Sequence, residues 1–149
     1  MIYDAILIGA GPIGIEMASV FKRAGISYLH LEAGALGETI TRWPRDTQFF
    51  SSPEWIAIAG VPIQTRGQEI VTGEQYLAYL RQVVEIFDLD IRTYERVTAI
   101  AGSVGDFRVT TRDLAGAEQR YASRTVVLAT GDMNSPRSIG VPGEELPHV

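Results

Sequence analysis

Residues 3–32 read YDAILIGAGPIGIEMASVFKRAGISYLHLE, and this stretch decides the fold. Residues 5–8 (AILI) form an unbroken apolar run, the pattern of a strand covered on both faces within a parallel sheet. Gly9-Ala10-Gly11-Pro12-Ile13-Gly14 follows at once. A helical pattern comes next, with Ile13, Met17, Val20, Phe21 and Ala24 predicted on its buried face. Gly25 is expected to end that helix as a left-handed residue. Residues 26–31 predict a second strand, with Glu32 at its end.

Each glycine in the turn has a distinct physical role. Gly9 permits the tight passage from strand to helix, Gly11 lets backbone approach a pyrophosphate, and Gly14 lets the helix pack close to the sheet. The helix N-terminus offers unsatisfied N–H groups and a positive dipole end to phosphates. Pro12 suits the first turn, where its missing N–H removes no intrahelical bond. Glu32, 18 positions after Gly14, can accept hydrogen bonds from both hydroxyls of an adenosine ribose and would repel a 2′-phosphate. Strand, glycines, helix, strand and acid in this order predict a dinucleotide-binding βαβ unit. The motif alone does not separate FAD from NAD.

The rest of the composition narrows the classes. The chain has 149 residues, 46% of them apolar, which suits one domain with a real core. A net charge of −5 argues against nucleic acid or an anionic membrane as the main partner. No apolar run approaches the roughly 18 residues of a membrane span. Met1 leads straight into strand-like sequence without a basic leader or cleavage site, so the expected location is the cytoplasm. The absence of cysteine excludes disulfides, thiolate metal sites and a redox-active thiol within this chain.

Residues 33–72 lack periodicity but are rich in aromatic residues (Trp43, Phe49, Phe50, Trp55). They are expected either to drape over a large ligand or partner domain, or to form a satellite cluster under a long loop. Thr72 and Gln75 fit a capping box. The helix it starts runs to about Phe87, with Tyr76, Leu77, Leu80, Val83, Val84 and Phe87 as its core stripe. Glu85, Asp88 and Asp90 read as solvated helix-end charges. A short strand at 91–93 precedes β segments at 96–101, 106–111 and 119–123, with a hairpin turn at 113–116. A separate, fully apolar strand at 125–131 is expected to return to the parallel sheet. His30 reads as a hydrogen-bonded structural residue, and Ser51-Ser52 has no plausible triad partners.

A βαβ unit, an antiparallel meander, and a return through Ala129-Thr130-Gly131, Pro136 and Val141-Pro142-Gly143 resemble the FAD-binding half of the two-dinucleotide-binding flavoproteins. That family comprises the pyridine-nucleotide-disulfide oxidoreductases and flavin monooxygenases. IYDAILIGAGPIG, TQFFSSPEWIAIAGVPI and ATGDMNSPRSIGVPGEELPHV are similar to the bacillithiol-disulfide reductase group. The resemblance implies an α/β Rossmann-like FAD-binding domain: a central parallel sheet with an antiparallel β-meander, in three ββα layers. Residues 1–131 would be its first segment, and residues 132–149 a crossover linker toward an NADPH domain outside the chain.

By position, the resemblance implies that Gly9, Gly11, Pro12, Ile13, Gly14 and Glu32 hold the ADP half of FAD, with Ala33 also in the cofactor site. The backbone of Val97 would meet the adenine, Thr39 and Gln48 would approach the riboflavin side, and Ala129, Thr130 and Gly131 would close the site. Ile13 stands where members of the group commonly carry a cysteine. The family's second GxGxxG and its C-terminal Gly-Asp segment have no counterpart here. The implied function is the FAD module of an NAD(P)H-dependent oxidoreductase, disulfide reductase or monooxygenase-like, not active alone. The expected partners are FAD and the NADPH-binding and C-terminal segments of a longer parent. Two other classes remain open at this point: a small NAD-binding dehydrogenase, and a non-catalytic fragment that forms homo-oligomers through exposed edges and apolar faces.

Overall fold

The computed structural model describes residues 1–133 and 137–146; Pro136, named above, lies outside them. The chain opens with strand β1 (Ile2–Ile8), helix α1 (Pro12–Ala24) and strand β2 (Tyr28–Leu31). The strand therefore starts three residues earlier than its apolar run. Gly25 ends α1 in the left-handed conformation (φ 66°), as expected. Two four-residue helical turns follow, α2 (Glu38–Thr41) and α3 (Pro53–Ile56), and a short 3₁₀ turn at Arg66–Gln68. Helix α4 (Gly73–Ile86) carries both halves of the capping box: the Gln75 N–H donates to the Thr72 hydroxyl (3.3 Å) and the Thr72 N–H to the Gln75 side chain (2.9 Å).

Four strands complete the chain: β3 (Ile91–Arg92), β4 (Arg96–Ser103), β5 (Asp106–Arg112) and β6 (Glu118–Leu128). They join the first two in one six-stranded sheet, in the order β3-β2-β1-β6-β5-β4. β1, β2, β3 and β6 run parallel, while β5 and β4 are antiparallel additions. The expected separate strands at 119–123 and 125–131 are a single strand. Its first half pairs with β5 and its second half continues along β1.

Side-chain alternation sorts the core into two layers. Leu7 faces the helices and joins Ile15, Ala18, Ile40, Tyr76, Leu80 and Val83. Ile6 and Ile8 face the other way and pack with Leu29, Leu31 and Val109, the last from β5. The meander therefore folds back across the parallel strands. An independent contact agrees: Arg92 on β3 donates to the Tyr121 hydroxyl on β6 at 2.7 Å. Two strands separate β3 from β6 in the sheet order, about 14 Å in a flat sheet. Tyr121 and Thr111 in turn donate to the Glu95 carboxylate (2.7 and 2.6 Å), which seals the layer. Helices, parallel sheet and meander give the expected three layers.

The buried face of α1 differs from the expectation. Gly14, Ile15, Ala18 and Ser19 are buried, whereas Ile13 and Val20 are exposed. The cause is distance. The start of the helix lies so near the strand-to-helix turn that no side chain fits at Gly14, and this approach turns Ile15, Ala18 and Ser19 inward instead. Met17 and Phe21 are displaced to the rim, where Phe21 meets Tyr28 in a tilted arrangement with ring centroids 5.6 Å apart.

The long segment after β2 is largely a packed cluster. Trp43, Phe49, Tyr76 and Tyr79 form a chain of rings with centroid separations of 5.0, 4.6 and 5.5 Å. The Tyr79 hydroxyl accepts the Ile58 N–H (2.6 Å) and donates toward the carbonyls of Ile58 and Val61 (3.0 and 2.8 Å). Tyr76 donates to the Ile56 carbonyl at 2.7 Å. Phe50 and Trp55, by contrast, project into solvent. Among the described residues, no helix is long and apolar enough to cross a membrane.

Candidate functional site

Parallel register builds the site. Ile8 lies beside Leu31 on one side and Leu128 on the other, so the residues that follow these strand ends, Gly9, Glu32 and Ala129, sit in a row. Backbone bonds fix that row: the Gly9 N–H donates to Leu31 (2.8 Å) and the Ala129 N–H to Ile8 (2.7 Å). This is the carboxyl edge of the parallel strands, where the connections leave β1 in opposite directions. In open α/β sheets such an edge is the usual place for a ligand.

The three glycines have three different environments. Gly9 has φ 106°, a conformation that favours glycine, and a β-carbon there would overlap the Ala129 carbonyl oxygen. A β-carbon at Gly14 would overlap the Gly9 carbonyl oxygen, so the helix can approach only because Gly14 has none. Among the described residues, none beyond its chain neighbours comes within 4 Å of where a β-carbon at Gly11 would stand. It is the N-cap of α1, extended at φ −79°, with no side chain capping the helix, and Pro12 follows at the first helical position. The first-turn N–H groups thus face open space with a positive dipole end behind them.

Glu32 organises the rim. One carboxylate oxygen accepts the Ala10 N–H at 2.7 Å and the other accepts the Gly34 N–H at 2.8 Å. The Ala10 carbonyl accepts the Gly37 N–H at 3.0 Å, so the loop is held from both sides. Each carboxylate oxygen keeps a further lone pair for a hydroxyl. The bond to Ala10 had no signal in the sequence, because a backbone N–H is available at every non-proline position.

His30 supports the loop from beneath. It pairs in register with Leu7, is 1% exposed, and its Nε2 lies 2.8 Å from the Gly9 carbonyl oxygen. The carbonyl only accepts, so Nε2 carries the proton and Nδ1 is a bare acceptor with no partner among the described residues. Burial lowers the His30 pKa below 6.5, against the raising effects of the Gly9 bond and the Glu32 charge. The unfolded chain therefore takes up this proton before the folded chain does. Stability from His30 is full above the unfolded pKa and falls as pH drops below about 6.5, by at most about 1.4 kcal/mol per pH unit. Urea titrations of the wild type and His30→Gln, which keeps a donor toward Gly9, are expected to diverge below that pH, with the wild type losing more. Parallel curves would remove His30 from the acid response.

The other expected residues divide. Ala33 follows Glu32 and is half-buried, and Thr39 is exposed on α2, two residues from the Gly37 contact with the loop. Thr130 and Gly131 continue from Ala129 into solvent. Val97 is on the edge strand β4, where the register slips between Val97 and Ala99, and its side chain joins the Ile6–Leu31 layer. Gln48 is exposed and bridges Thr72 at the start of α4; the hydrogen bonds around it tie it there and not to the glycine loop. Ile13, 67% exposed, stands at the open first turn. Among the described residues, no cluster of three His, Asp or Glu side chains could hold a metal ion.

Comparison with known proteins bears on the fold as a whole. The family model described as pyridine nucleotide-disulphide oxidoreductase matches residues 6–149. The bacilliredoxin reductase Bdr of Bacillus subtilis is 32% identical over 145 residues, covering 97% of this chain and 43% of that protein. The solved bacillithiol disulfide reductase Bdr from Bacillus cereus superposes with a TM-score of 0.91 at 33% identity, over 99% of this chain and 45% of that one. A flavin-containing monooxygenase from Stenotrophomonas maltophilia gives a TM-score of 0.77 at 27% identity, over 87% of this chain and 39% of that one. The chain thus spans under half the length of the relatives it matches.

Proposed function

The chain belongs to the pyridine nucleotide-disulphide oxidoreductase family, and on that premise we propose that its glycine-loop edge holds the ADP half of FAD for an NAD(P)H-dependent oxidoreductase. This is an FAD-binding domain family whose relatives include disulfide reductases and flavin monooxygenases. The observation that carries the assignment is the contrast among the glycines: two are closed by backbone, and Gly11 alone leaves a space at the open end of a helix.

In this reading, the first-turn N–H groups between Gly11 and Gly14 bind the pyrophosphate. Glu32 accepts the adenosine ribose hydroxyls with its remaining lone pairs. Val97 lies toward the adenine, Thr39 and Gln48 toward the riboflavin, and Ala129, Thr130 and Gly131 close the edge. The flavin, when bound, supplies the hydride-accepting chemistry. The residues of this chain bind it, orient it and exclude water. The chain contributes no thiol, so a disulfide acceptor would find no redox partner among its side chains. We assign residues 1–131 to the FAD-binding segment and 132–149 to a crossing toward a reductant-binding domain.

The visible absorption spectrum of the purified chain, before and after adding FAD, tests the assignment. A protein-perturbed flavin spectrum is the expected result, and an unperturbed one from a folded chain would overturn it. Glu32→Gln sharpens the test. The amide keeps one acceptor but sets its NH₂ against the N–H of Ala10 or Gly34. FAD affinity is expected to fall about tenfold or more, the scale of one charge-assisted hydrogen bond. Unchanged affinity in a titration would remove Glu32 from the ribose site.

A further inference from the structure

His30 is a buried titratable group set directly beneath the candidate phosphate-binding turn. Its imidazole lies between the Gly9 peptide and the first turn of α1: Nε2 is 2.8 Å from the Gly9 carbonyl oxygen, and a β-carbon at Gly14 would stand 3.3 Å from the same nitrogen. The residue is 1% exposed, and its Nδ1 has no partner among the described residues. Support of Gly9 needs only the Nε2–H, which a side-chain amide would also supply. A second buried nitrogen without a partner costs free energy and adds nothing to that support.

Few charged groups surround the ring. Its register neighbours are Leu7 on β1 and Ile91 on β3. α1 turns only uncharged residues inward, and its Glu16 lies 3.4 Å from the Ala59 N–H. Arg92, next on β3, reaches the Tyr121 hydroxyl on β6. α4 brings Tyr76 and Tyr79 into the same layer; their hydroxyls are bonded to Ile56 and Ile58, and burial raises both above the ordinary tyrosine value. Among the described residues, Glu32 is the carboxylate whose charge acts on the imidazole. Against it stands the positive end of α1.

We propose that His30 couples dinucleotide binding to proton uptake: a pyrophosphate seated on the first turn of α1 brings a proton onto Nδ1, and the chain holds its ligand more tightly in mildly acid than in neutral solution. The proposal rests on the phosphate assignment above and adds to it a pH response. In the free chain an imidazolium would face the positive end of α1 with only Glu32 to oppose it. The negative charges of the ligand arrive at that same turn, which the ring already touches, and buried surroundings screen them little. A Nδ1–H without an acceptor costs the same with and without ligand, so that cost does not enter the coupling. The bound chain takes up the proton at a higher pH than the free chain. Affinity therefore rises as pH falls between the two values, by at most about tenfold per pH unit for one proton. Titration of Glu32 would act in the opposite direction, because a protonated carboxyl is the poorer acceptor for ribose hydroxyls.

Titration calorimetry of the chain with FAD, whose diphosphate has no group that titrates near neutrality, reads this coupling. From about pH 7.5 to about pH 5.5 the wild-type affinity is expected to rise about threefold or more, and at about pH 6 the heats in two buffers of different ionisation enthalpy should show uptake of about 0.3 proton or more. His30→Gln is expected to abolish both, with affinity changing less than about 1.5-fold over the same range. The imidazole resonances of the wild type, assigned with His148→Gln, should titrate at a higher pH with FAD than without, which tests the coupling even if the His30 variant fails to fold. A wild type that binds FAD with a flat pH profile and no buffer-dependent heat would overturn the coupling and leave the phosphate assignment standing. So would a pH profile that His30→Gln retains. A folded wild type that binds no FAD at any pH would overturn both.

Discussion

Gly14→Ala is expected to destabilise the domain by about 3 kcal/mol, combining overpacking with loss of a buried hydrogen bond. The added carbon would overlap the Gly9 carbonyl oxygen and stand 3.0 Å from the carbonyl carbon and 3.3 Å from His30 Nε2. All of these are rigid neighbours: a backbone peptide and a ring with 1% exposure. Relief requires either that α1 lift off the sheet or that the Gly9 peptide rotate. Lifting α1 opens the Leu7–Ile15–Ala18 contact. Rotating the peptide removes the Nε2 partner of His30, whose Nδ1 has none among the described residues. Set against a total of roughly 5–15 kcal/mol for a domain, the loss is large. It would lower the melting temperature by about 10 °C for a chain of this length. A shift under about 2 °C would mean that the helix can slide, and that its close approach is not what Gly14 secures.

The parts of the fold legible in the sequence are those in which local pattern and long-range environment agree. The apolar run before Gly9, the spacing to Glu32, the left-handed stop at Gly25 and the Thr72–Gln75 box are of this kind. α1 was misread because its large apolar residues suggested the buried face. The contact is so close that Gly14, Ala18 and Ser19 occupy it instead, and closeness to a neighbour is not a property of the helix sequence. β6 read as two strands because its periodicity changes along its length. Its first half pairs with β5 and is mostly polar; its second half pairs with β1 and runs apolar. Between them Arg124 reaches out to Asp4, which interrupts the pattern without interrupting the strand. The aromatic loop was undecidable locally, since Tyr76 and Tyr79, some twenty positions onward, hold it.

The site shows the same division. Its motif residues were legible because each does one thing that few residue types can do. The supports were not. The Glu32 bond to Ala10 and the His30 bond to Gly9 depend on backbone groups that every sequence supplies. Register alone aims those groups at the side chains. One consequence is that Glu32 has two roles, as a brace for the loop in the folded chain and as the proposed ribose ligand. Substitutions there affect binding and stability together, so they separate the two poorly. A position that affects binding alone is a cleaner probe.

Gly11→Val is that probe: it is expected to weaken FAD by at least about a hundredfold, or about 2.7 kcal/mol, with the fold retained. Among the described residues, no atom beyond Gly11 and its chain neighbours lies within 4 Å of the new β-carbon, and φ −79° is an ordinary conformation for valine. The stability cost is limited to replacing an N-cap glycine with a β-branched residue, about 1 kcal/mol. The isopropyl group would instead fill the space over the first turn of α1, where the pyrophosphate must come within hydrogen-bond reach of the backbone. Melting temperature and FAD affinity, measured on the same samples, distinguish the alternatives. Loss of both would show that Gly11 is structural and that the open space is filled in solution by a neighbouring segment. Retention of both would place the pyrophosphate elsewhere along the edge. Gly11→Ala, with a single carbon in the same space, should fall between wild type and valine in affinity while melting near the wild type. A graded loss of affinity at constant stability is what a backbone cradle for a diphosphate requires, and a merely tight turn would not produce it.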